Sequence, residues 1–186
     1  TILTALLCMN LFASTYYVDI ASGSDGNDGN TTSAPWKTIA QVNSANLVPG
    51  DSVLFARGQT FRGNLVPKSG TASANICYGA YGTGPKPLLL GSISRKLSSD
   101  WVIAGKNLWM TSNIVTEENV AVDAGNIIFN NELSVGWKVS ALNLVNSQGK
   151  FYSDVAANTV TMYSEGNPGS VYSDIEIALG QHVINE

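Results

Sequence analysis

Short apolar segments recur at a fixed spacing through residues 16–92, and this recurrence is the strongest constraint on the fold. Val53 and Ile76 lie 23 positions apart, as do Leu65 and Leu88. Self-similarity at a period of roughly 20–50 residues is typical of solenoids. Because the repeating segments have the residue types of strands, the spacing predicts a parallel β-helix, in which strands of successive coils stack about 4.8 Å apart.

Composition favours an all-β domain with a core of its own. Hydrophobic residues make up 44% of the chain and charged residues only 13%, which argues against disorder, and 18 glycines suit many tight turns. The net charge is −4. The basic residues are scattered apart from Arg95 and Lys96, so nucleic acid is not an expected partner.

The first fifteen residues are uncharged and mostly apolar. They predict the remnant of a secretory signal peptide, too short to span a bilayer, although a hydrophobic first strand is the alternative. Cys8 would leave with the signal, and Cys77 would remain as a small buried residue without a disulfide partner. The protein is therefore expected to be secreted or on the cell surface. Residues 16–186 are interpreted as the N-terminal part of a domain truncated at its C-terminus.

Residues 33–43 predict a short helix with one apolar face, on which Trp36, Ile39 and Val42 lie at helical spacing. Further along, two pairs of strands flank turn-forming residues, and each pair predicts a β-hairpin. The turns are residues 105–107 and residues 156–158. A solenoid coil does not contain hairpins, so residues 93–170 are interpreted as an antiparallel elaboration inserted between coils.

Two stretches resemble the N-terminal cap and first coil of secreted right-handed parallel β-helix proteins of the pectate-lyase-like superfamily: YYVDIASGSDGNDGNTTSAPWKTI and PGDSVLFARGQTFRG. A later stretch resembles the elaborated N-terminal region of bacterial β-helix repeat proteins: GWKVSALNLVNSQGKFYSDVAANTVTMYSEGNPGSVYSDIEIAL. The fold class expected from this resemblance is all-β, a right-handed parallel β-helix with an N-terminal capping helix and an inserted hairpin elaboration.

The resemblance implies a secreted, monomeric, carbohydrate-active protein. The main function that the resemblance implies is that of a polysaccharide lyase acting on an acidic extracellular polysaccharide, with calcium or a basic residue neutralising the uronate carboxylate. A glycoside hydrolase and a non-catalytic adhesion or glycan-binding scaffold are the alternatives. In these lyases the catalytic base lies on later coils, so no catalytic residue carries over to this sequence.

An acidic, glycine-rich loop gathers the oxygen ligands that calcium prefers. Asp19, Asp25, Asn27 and Asp28 lie within ten positions, and they are the predicted metal ligands. The loop lacks EF-hand spacing, and the alternative is a solvated turn whose side chains cap local backbone groups.

Other charged residues offer weaker candidates. Four cations are candidates for neutralising a uronate carboxylate, with exposed strand edges as the alternative: Arg57, Arg62, Lys68 and Lys138. Four carboxylates are candidates for a glycosidase pair, with loop solvation as the alternative: Glu117, Glu118, Asp154 and Glu165. His182 is the sole histidine, which excludes a site built from several histidines within this sequence.

Aromatic residues suggest platforms for stacking on sugar rings. Trp36 is assigned to packing because it lies on the helix stripe, and Trp101 and Trp109 flank one hairpin and are expected to cover each other. Trp137 is a further candidate. Tyr152 and Tyr163 are preferred as exposed platforms.

Overall fold

The computed structural model describes residues 13–116, 119–180 and 183–184. Most of the predicted signal segment, Glu117, Glu118 and His182 lie outside the described residues. The chain divides into two compact units. The first holds the described residues up to Phe61 together with Leu65–Leu88, and the second holds Arg62–Asn64 and the residues from Leu89 onward.

The first half of the chain contributes five strands and one helix. They are β1 (Thr15–Val18), α1 (Ile39–Ser44), β2 (Ser52–Ala56), β3 (Thr60–Arg62), β4 (Cys77–Tyr81) and β5 (Leu88–Leu90). In the first unit, β1, β2 and β4 form a three-stranded parallel sheet in that order. A separate two-stranded sheet joins β3 and β5.

Helix α1 forms where the sequence supplies both a cap and an apolar stripe. The hydroxyl of Thr38 accepts a hydrogen bond from the backbone N–H of Gln41 at 3.1 Å, which satisfies one free donor of the first turn. Ile39 and Val42 are 1% exposed and hold the helix against the core of the first unit. The predicted one-faced helix is confirmed, although it begins later than its sequence pattern.

The second half is richer in strands. They are β6 (Ser92–Ser94), β7 (Val102–Gly105), β8 (Leu108–Ser112), β9 (Ala124–Phe129), β10 (Ser134–Val135), β11 (Trp137–Lys138), β12 (Lys150–Asp154), β13 (Thr159–Tyr163) and β14 (Ile175–Leu179). The helix α2 (Pro168–Val171) lies between β13 and β14, and 3₁₀ turns occupy Ser98–Asp100 and Leu142–Leu144. Neither helix in the described residues is long and apolar enough to cross a membrane.

The second unit contains two sheets. One has the order β10-β9-β14-β6 and is antiparallel throughout, and the other has the order β11-β12-β13-β8-β7 and is antiparallel except where β11 meets β12. Both predicted hairpins are confirmed, as β7–β8 and β12–β13. A single hydrophobic cluster fills this unit, with Ile127, Phe151 and Met162 fully buried.

The predicted right-handed parallel β-helix is wrong. The described residues form four separate small sheets, among them one parallel, one antiparallel and one mixed sheet, and they build no solenoid. The spacing that suggested coils also fails in detail, because Leu65 lies outside any strand and Val53 pairs with Tyr78 instead of with Ile76. Short apolar segments fix burial, but they do not specify which segment pairs with which.

Candidate functional site

One face of the five-stranded sheet carries two tyrosines. In β12 and β13, Phe151, Val160 and Met162 point into the core and are fully buried. Successive side chains of a strand point to opposite faces, so Tyr152 and Tyr163 lie on the face away from the core. The stacking platforms preferred from sequence therefore share one surface, although both tyrosines are half-buried and not exposed as predicted.

Strand β11 adds a tryptophan to the same surface. Trp137 pairs with Lys150, which lies two residues from Tyr152 and therefore on the same face. Tyr152 pairs with Thr161, which is two residues from Tyr163. The Trp137 side chain is 74% exposed. We call the surface formed by Trp137, Lys150, Tyr152, Thr161 and Tyr163 the aromatic face.

Local packing fixes the position of this tryptophan. A Cβ on Gly136 would lie 3.0 Å from a ring carbon of Phe151, so glycine lets β11 lie directly on the core at this point. The hydroxyl of Tyr163 accepts a hydrogen bond from Asn107 Nδ2 at 2.8 Å. The backbone and one ring of the aromatic face are thus held in place before any ligand binds.

The other tryptophans serve packing. Trp36 is 4% exposed and stacks on Tyr16 with ring centroids 4.5 Å apart, which confirms its predicted role. Trp101 is also 4% exposed, and its Nε1 donates to the carbonyl of Arg95 at 2.8 Å. Trp109 Nε1 donates to a backbone carbonyl at 3.2 Å. Sequence reasoning ranked Trp137 too low, although its place in the alternating segment 133–137 offered a cue.

The acidic loop is held by internal hydrogen bonds. Asp19 Oδ1 accepts from two backbone N–H groups at 2.9 and 3.0 Å, and Asp25 Oδ1 accepts from two others at 2.8 and 2.9 Å. Asn27 donates to a carbonyl, and Asp28 accepts from one N–H. In the described part of the chain, no group of three or more His, Cys, Asp and Glu side chains is placed to hold a metal ion. Calcium binding at these residues stays a prediction.

Three of the four basic candidates for a lyase site have separate partners. Arg62 pairs with Glu176, Lys138 pairs with Asp123, and Arg57 Nη1 donates to a backbone carbonyl at 3.4 Å. Burial alone would raise the pKa of Asp123. The hydrogen bonds from Lys138 and Ser153 and the charge of Lys138 together outweigh this effect, so the pKa lies below its ordinary value.

The two described candidate carboxylates, Asp154 and Glu165, do not form a glycosidase pair. Asp154 pairs with Thr159 at the turn end of the β12–β13 hairpin. Glu165 lies beyond the other end, where its N–H donates to Gln148 Oε1 at 2.9 Å. About six residues of extended strand separate these positions, or roughly 20 Å. Glycosidase carboxylates are about 5–10 Å apart.

A second polar cluster was missed in part by the sequence analysis. Glu176 on β14 binds Arg62 through Oε1, and its Oε2 accepts a hydrogen bond from Ser92 Oγ at 2.8 Å. Its neighbours Ile175 and Ile177 are fully buried, so Glu176 faces the opposite side of the strand. A charged residue within an apolar strand was the available cue, since such a group needs a partner. The predicted burial of Cys77 is wrong, because Cys77 is an exposed free thiol.

Comparison with known proteins shows similarity to carbohydrate-acting enzymes. No protein-family model matches the chain. The lacto-N-biosidase of Bifidobacterium longum subsp. longum is 42% identical over 73 residues, or 37% of this chain and 5% of that protein. The crystal structure of the GH136 lacto-N-biosidase from Eubacterium ramulus is 40% identical, covering 44% of this chain and 14% of that one, with a TM-score of 0.40.

A third comparison concerns the fold. The structure of XylC in complex with xylose aligns over 91% of this chain and 32% of its own length, with 18% identity and a TM-score of 0.66. The chain thus spans only a small part of the relatives it matches. The predicted resemblance to the pectate-lyase-like superfamily is wrong, since the curated relative that the sequence matches is a lacto-N-biosidase.

Proposed function

We propose that this chain is part of an extracellular glycoside hydrolase and that its aromatic face binds the glycan. The observation that carries the proposal is the exposed indole of Trp137 on a sheet face shared with two tyrosines. The similarity to lacto-N-biosidase over 73 residues supports the hydrolase class, which replaces the lyase as the expected chemistry.

The aromatic face suits a sugar chain in shape and in chemistry. Aromatic rings offer flat apolar surfaces for the C–H faces of sugar rings, and their polar tips remain available to water or ligand. Neighbouring strands lie about 4.8 Å apart, so Trp137 and Tyr163, two strands apart, are separated by about 10 Å. A ligand that touches both rings must be extended, as an oligosaccharide is.

The charges of this face favour a neutral glycan over an acidic one. Lys150 and Asp154 alternate with Tyr152 on β12 and therefore share its face, so one cation balances one anion. Lys150 Nζ is itself bonded to Asn146 Oδ1 at 2.9 Å. An acidic polymer would find no excess of positive charge here, and the whole chain carries a net charge of −4.

The proposal assigns glycan binding and no catalytic step to the described residues, since Asp154 and Glu165 are too far apart to act as one catalytic pair. The wide separation of these two carboxylates keeps a non-catalytic glycan-binding scaffold as the second candidate function. The two functions share the aromatic face and differ in whether the protein releases new reducing ends from the glycan it binds.

The test is retention on polysaccharides by affinity electrophoresis of the whole chain. Neutral xylan, cellulose derivatives and mixed-linkage glucans are compared with acidic pectate and alginate. Trp137→Ala should weaken binding of the neutral polymer about tenfold, and Trp137→Phe should retain part of it. Leu88→Ala is the matched control, since Leu88 is 56% exposed but lies in the first unit.

Two outcomes would overturn the proposal. The first is a folded chain that binds none of the neutral polymers, and the second is a Trp137→Ala variant that binds them unchanged. Release of reducing ends by the protein, without the ultraviolet absorbance of unsaturated uronates, would favour hydrolase over scaffold. Release of reducing ends together with the ultraviolet absorbance of unsaturated uronates would instead indicate lyase activity.

A further inference from the structure

The five-stranded sheet of the second unit ends in an apolar edge. Strand β7 is the last strand in the order β11-β12-β13-β8-β7, so one of its sides carries no strand among the described residues. Its sequence is VIAG, without a charge or a proline. Val102 is 55% exposed, Ile103 is 71% exposed, and Ala104 is exposed as well. Such an edge invites another strand, because its outward N–H and C=O groups are open to pairing.

Hydrogen bonding in the neighbouring strands fixes where the backbone of β7 points. The carbonyl of Asn107 accepts from Ser164 N at 2.9 Å, so the backbone polar groups of Asn107 point toward β13. These groups alternate in direction along an antiparallel strand, so those of Met110, three residues later, point toward β7. Val102 pairs with Met110 and uses its own groups within the sheet. The N–H and C=O of the next residue, Ile103, therefore point away from the sheet.

A bulge limits how far a second strand can follow this edge. The register of β7 against β8 shifts between Ile103 and Gly105. Bulges are one device by which edge strands resist pairing. Ile103 lies before the shift and keeps its outward pair of backbone groups. A strand that docks here must therefore be short and centred near Ile103.

The residues that flank β7 carry opposite charges at equal distances from Ile103. Asp100 lies three positions before it, and Lys106 lies three positions after it. When two β7 strands pair antiparallel with Ile103 at the centre, position 100 of each copy lies opposite position 106 of the other. Opposite charges that face each other across two strands stabilise their pairing. Lys106 is exposed, and Asp100 is half-buried with one oxygen bound to the N–H of Leu97 at 2.8 Å. The edge is thus complementary to itself in charge and in backbone groups.

We infer that β7 pairs antiparallel with β7 of a second copy of this chain, about a two-fold axis at Ile103. Each Ile103 donates its N–H to the carbonyl of the other, and Val102 lies opposite Ala104 of the second copy. The same surface serves both copies, as a closed two-fold contact requires. The aromatic faces of both copies then lie on the same side of one ten-stranded sheet. This dimer replaces the monomer that the family resemblance implied, and it does not depend on the proposed glycan binding.

The test is sedimentation velocity of the full 186-residue chain, with a reducing agent that keeps the exposed thiol of Cys77 from cross-linking copies. The contact is small, since it has two backbone hydrogen bonds, a few apolar side chains and two ion pairs. We therefore expect a reversible dimer with a Kd on the order of 100 μM, measured between about 10 μM and about 1 mM. A monomer at every concentration would overturn the inference. Growth beyond the dimer would overturn it too, because a two-fold contact closes.

A lysine at the axis should abolish the dimer. Ile103→Lys places two like charges directly opposite each other, and we expect only monomer at an unchanged Tm. Val120→Lys is the matched control, since Val120 is 57% exposed in the same unit but lies outside β7. A dimer that survives Ile103→Lys, or one that Val120→Lys removes equally, would contradict the assigned contact.

Charge reversal beside the strand tests the register. Lys106→Glu would face Asp100 of the second copy and should weaken association about tenfold. Lys96→Glu is the control, since Lys96 is exposed but lies outside the flanking pair. Equal effects of the two variants would overturn the register centred on Ile103. Trp137→Ala should leave the dimer unchanged, and loss of the dimer in this variant would place the contact on the aromatic face instead.

Discussion

The carboxylate of Asp51 binds the backbone N–H of Ser14 at 2.8 Å, and this hydrogen bond joins the starts of two parallel strands. Asp51 is fully buried, and its second oxygen accepts from the N–H of Val48, also at 2.8 Å. Its own carbonyl accepts from Cys77 N at 2.9 Å, where β4 begins. One residue thus aligns all three strands of the parallel sheet.

Replacing Asp51 by alanine is expected to destabilise the first unit by about 3 kcal/mol. Two part-buried N–H groups would lose a charged acceptor, and each such bond contributes about 1.5–3 kcal/mol. The measurement is urea denaturation followed by circular dichroism. Asp28→Ala is the control, since Asp28 is exposed and accepts one hydrogen bond at 3.2 Å. Equal losses for the two variants would contradict the role assigned to Asp51.

Locally encoded parts of this fold could be predicted from sequence. The hairpin turns contain Asn107 and Asn158, both with φ near +57°, a conformation that asparagine tolerates. The capping motif and stripe of α1 lie within a few residues of each other. Each of these elements is decided by neighbours in the chain, so the sequence pattern suffices.

Pairings between distant segments could not be predicted. Arg62 and Glu176 are 114 positions apart, and nothing near either residue indicates the other. The pairing of β9 with β14 is set by the packing of Ile127 and Ile177 in a shared core. The sequence could identify aromatic side chains as candidates for stacking on sugar rings, but only the register of β11 with β12 places Trp137 beside the tyrosines.

Alanine at two glycines of the acidic loop should destabilise the protein to different extents. A Cβ on Gly23 would lie 2.2 Å from the Trp36 carbonyl oxygen and 2.3 Å from that of Asp19, so the backbone must move. A Cβ on Gly26 would meet Ser24 Oγ at an ordinary 3.7 Å. We expect Gly23→Ala to cost more than about 2 kcal/mol and Gly26→Ala less than about 1 kcal/mol. Thermal denaturation of both variants tests this order, and its reversal would show that the loop adapts freely.

Arg95 and Lys96 are adjacent but should differ in their importance. The Arg95 guanidinium donates to Thr111 Oγ1 and to the carbonyls of Ser112 and Asn113, each at 3.0 Å, whereas Lys96 is exposed. Arg95→Met should lower the free energy of unfolding by about 2–4 kcal/mol, because several charge-assisted bonds are lost. Lys96→Met should change it by less than about 0.5 kcal/mol. Urea denaturation distinguishes the two, and a similar small effect for both would mean that water replaces the Arg95 contacts.

Calcium titration separates the two alternatives for the acidic loop. The oxygens of Asp19 and Asp25 already accept backbone N–H groups, and a metal ion would have to displace those donors. We therefore expect neither calcium nor a chelator to change the Tm. A rise in Tm with calcium that Asp25→Asn removes would instead establish a metal site there.

The acidic loop should also control stability at low pH. Burial alone would raise the pKa of Asp19. Hydrogen bonds from Gln59 and from the N–H groups of Ser22 and Ala21 outweigh this effect, so the pKa lies below its ordinary value of 3.8. Unfolding returns the carboxyl to its ordinary pKa, and the unfolded chain then takes up more protons. The stability that Asp19 contributes is therefore present above the ordinary value and is lost as the pH falls through the folded-state pKa.

Asp19→Asn should flatten this loss of stability in acid. Its Tm should change less than that of the original chain between about pH 5 and about pH 2, where paired carboxylates become protonated. Gln59→Leu removes the hydrogen bond that the side-chain amide donates to Asp19 at 2.8 Å, and it should give an intermediate slope. Calorimetry across this range measures all three proteins. A slope for Asp19→Asn as steep as that of the original chain would assign the acid sensitivity to other carboxylates, with the Lys138-bound Asp123 the next to replace.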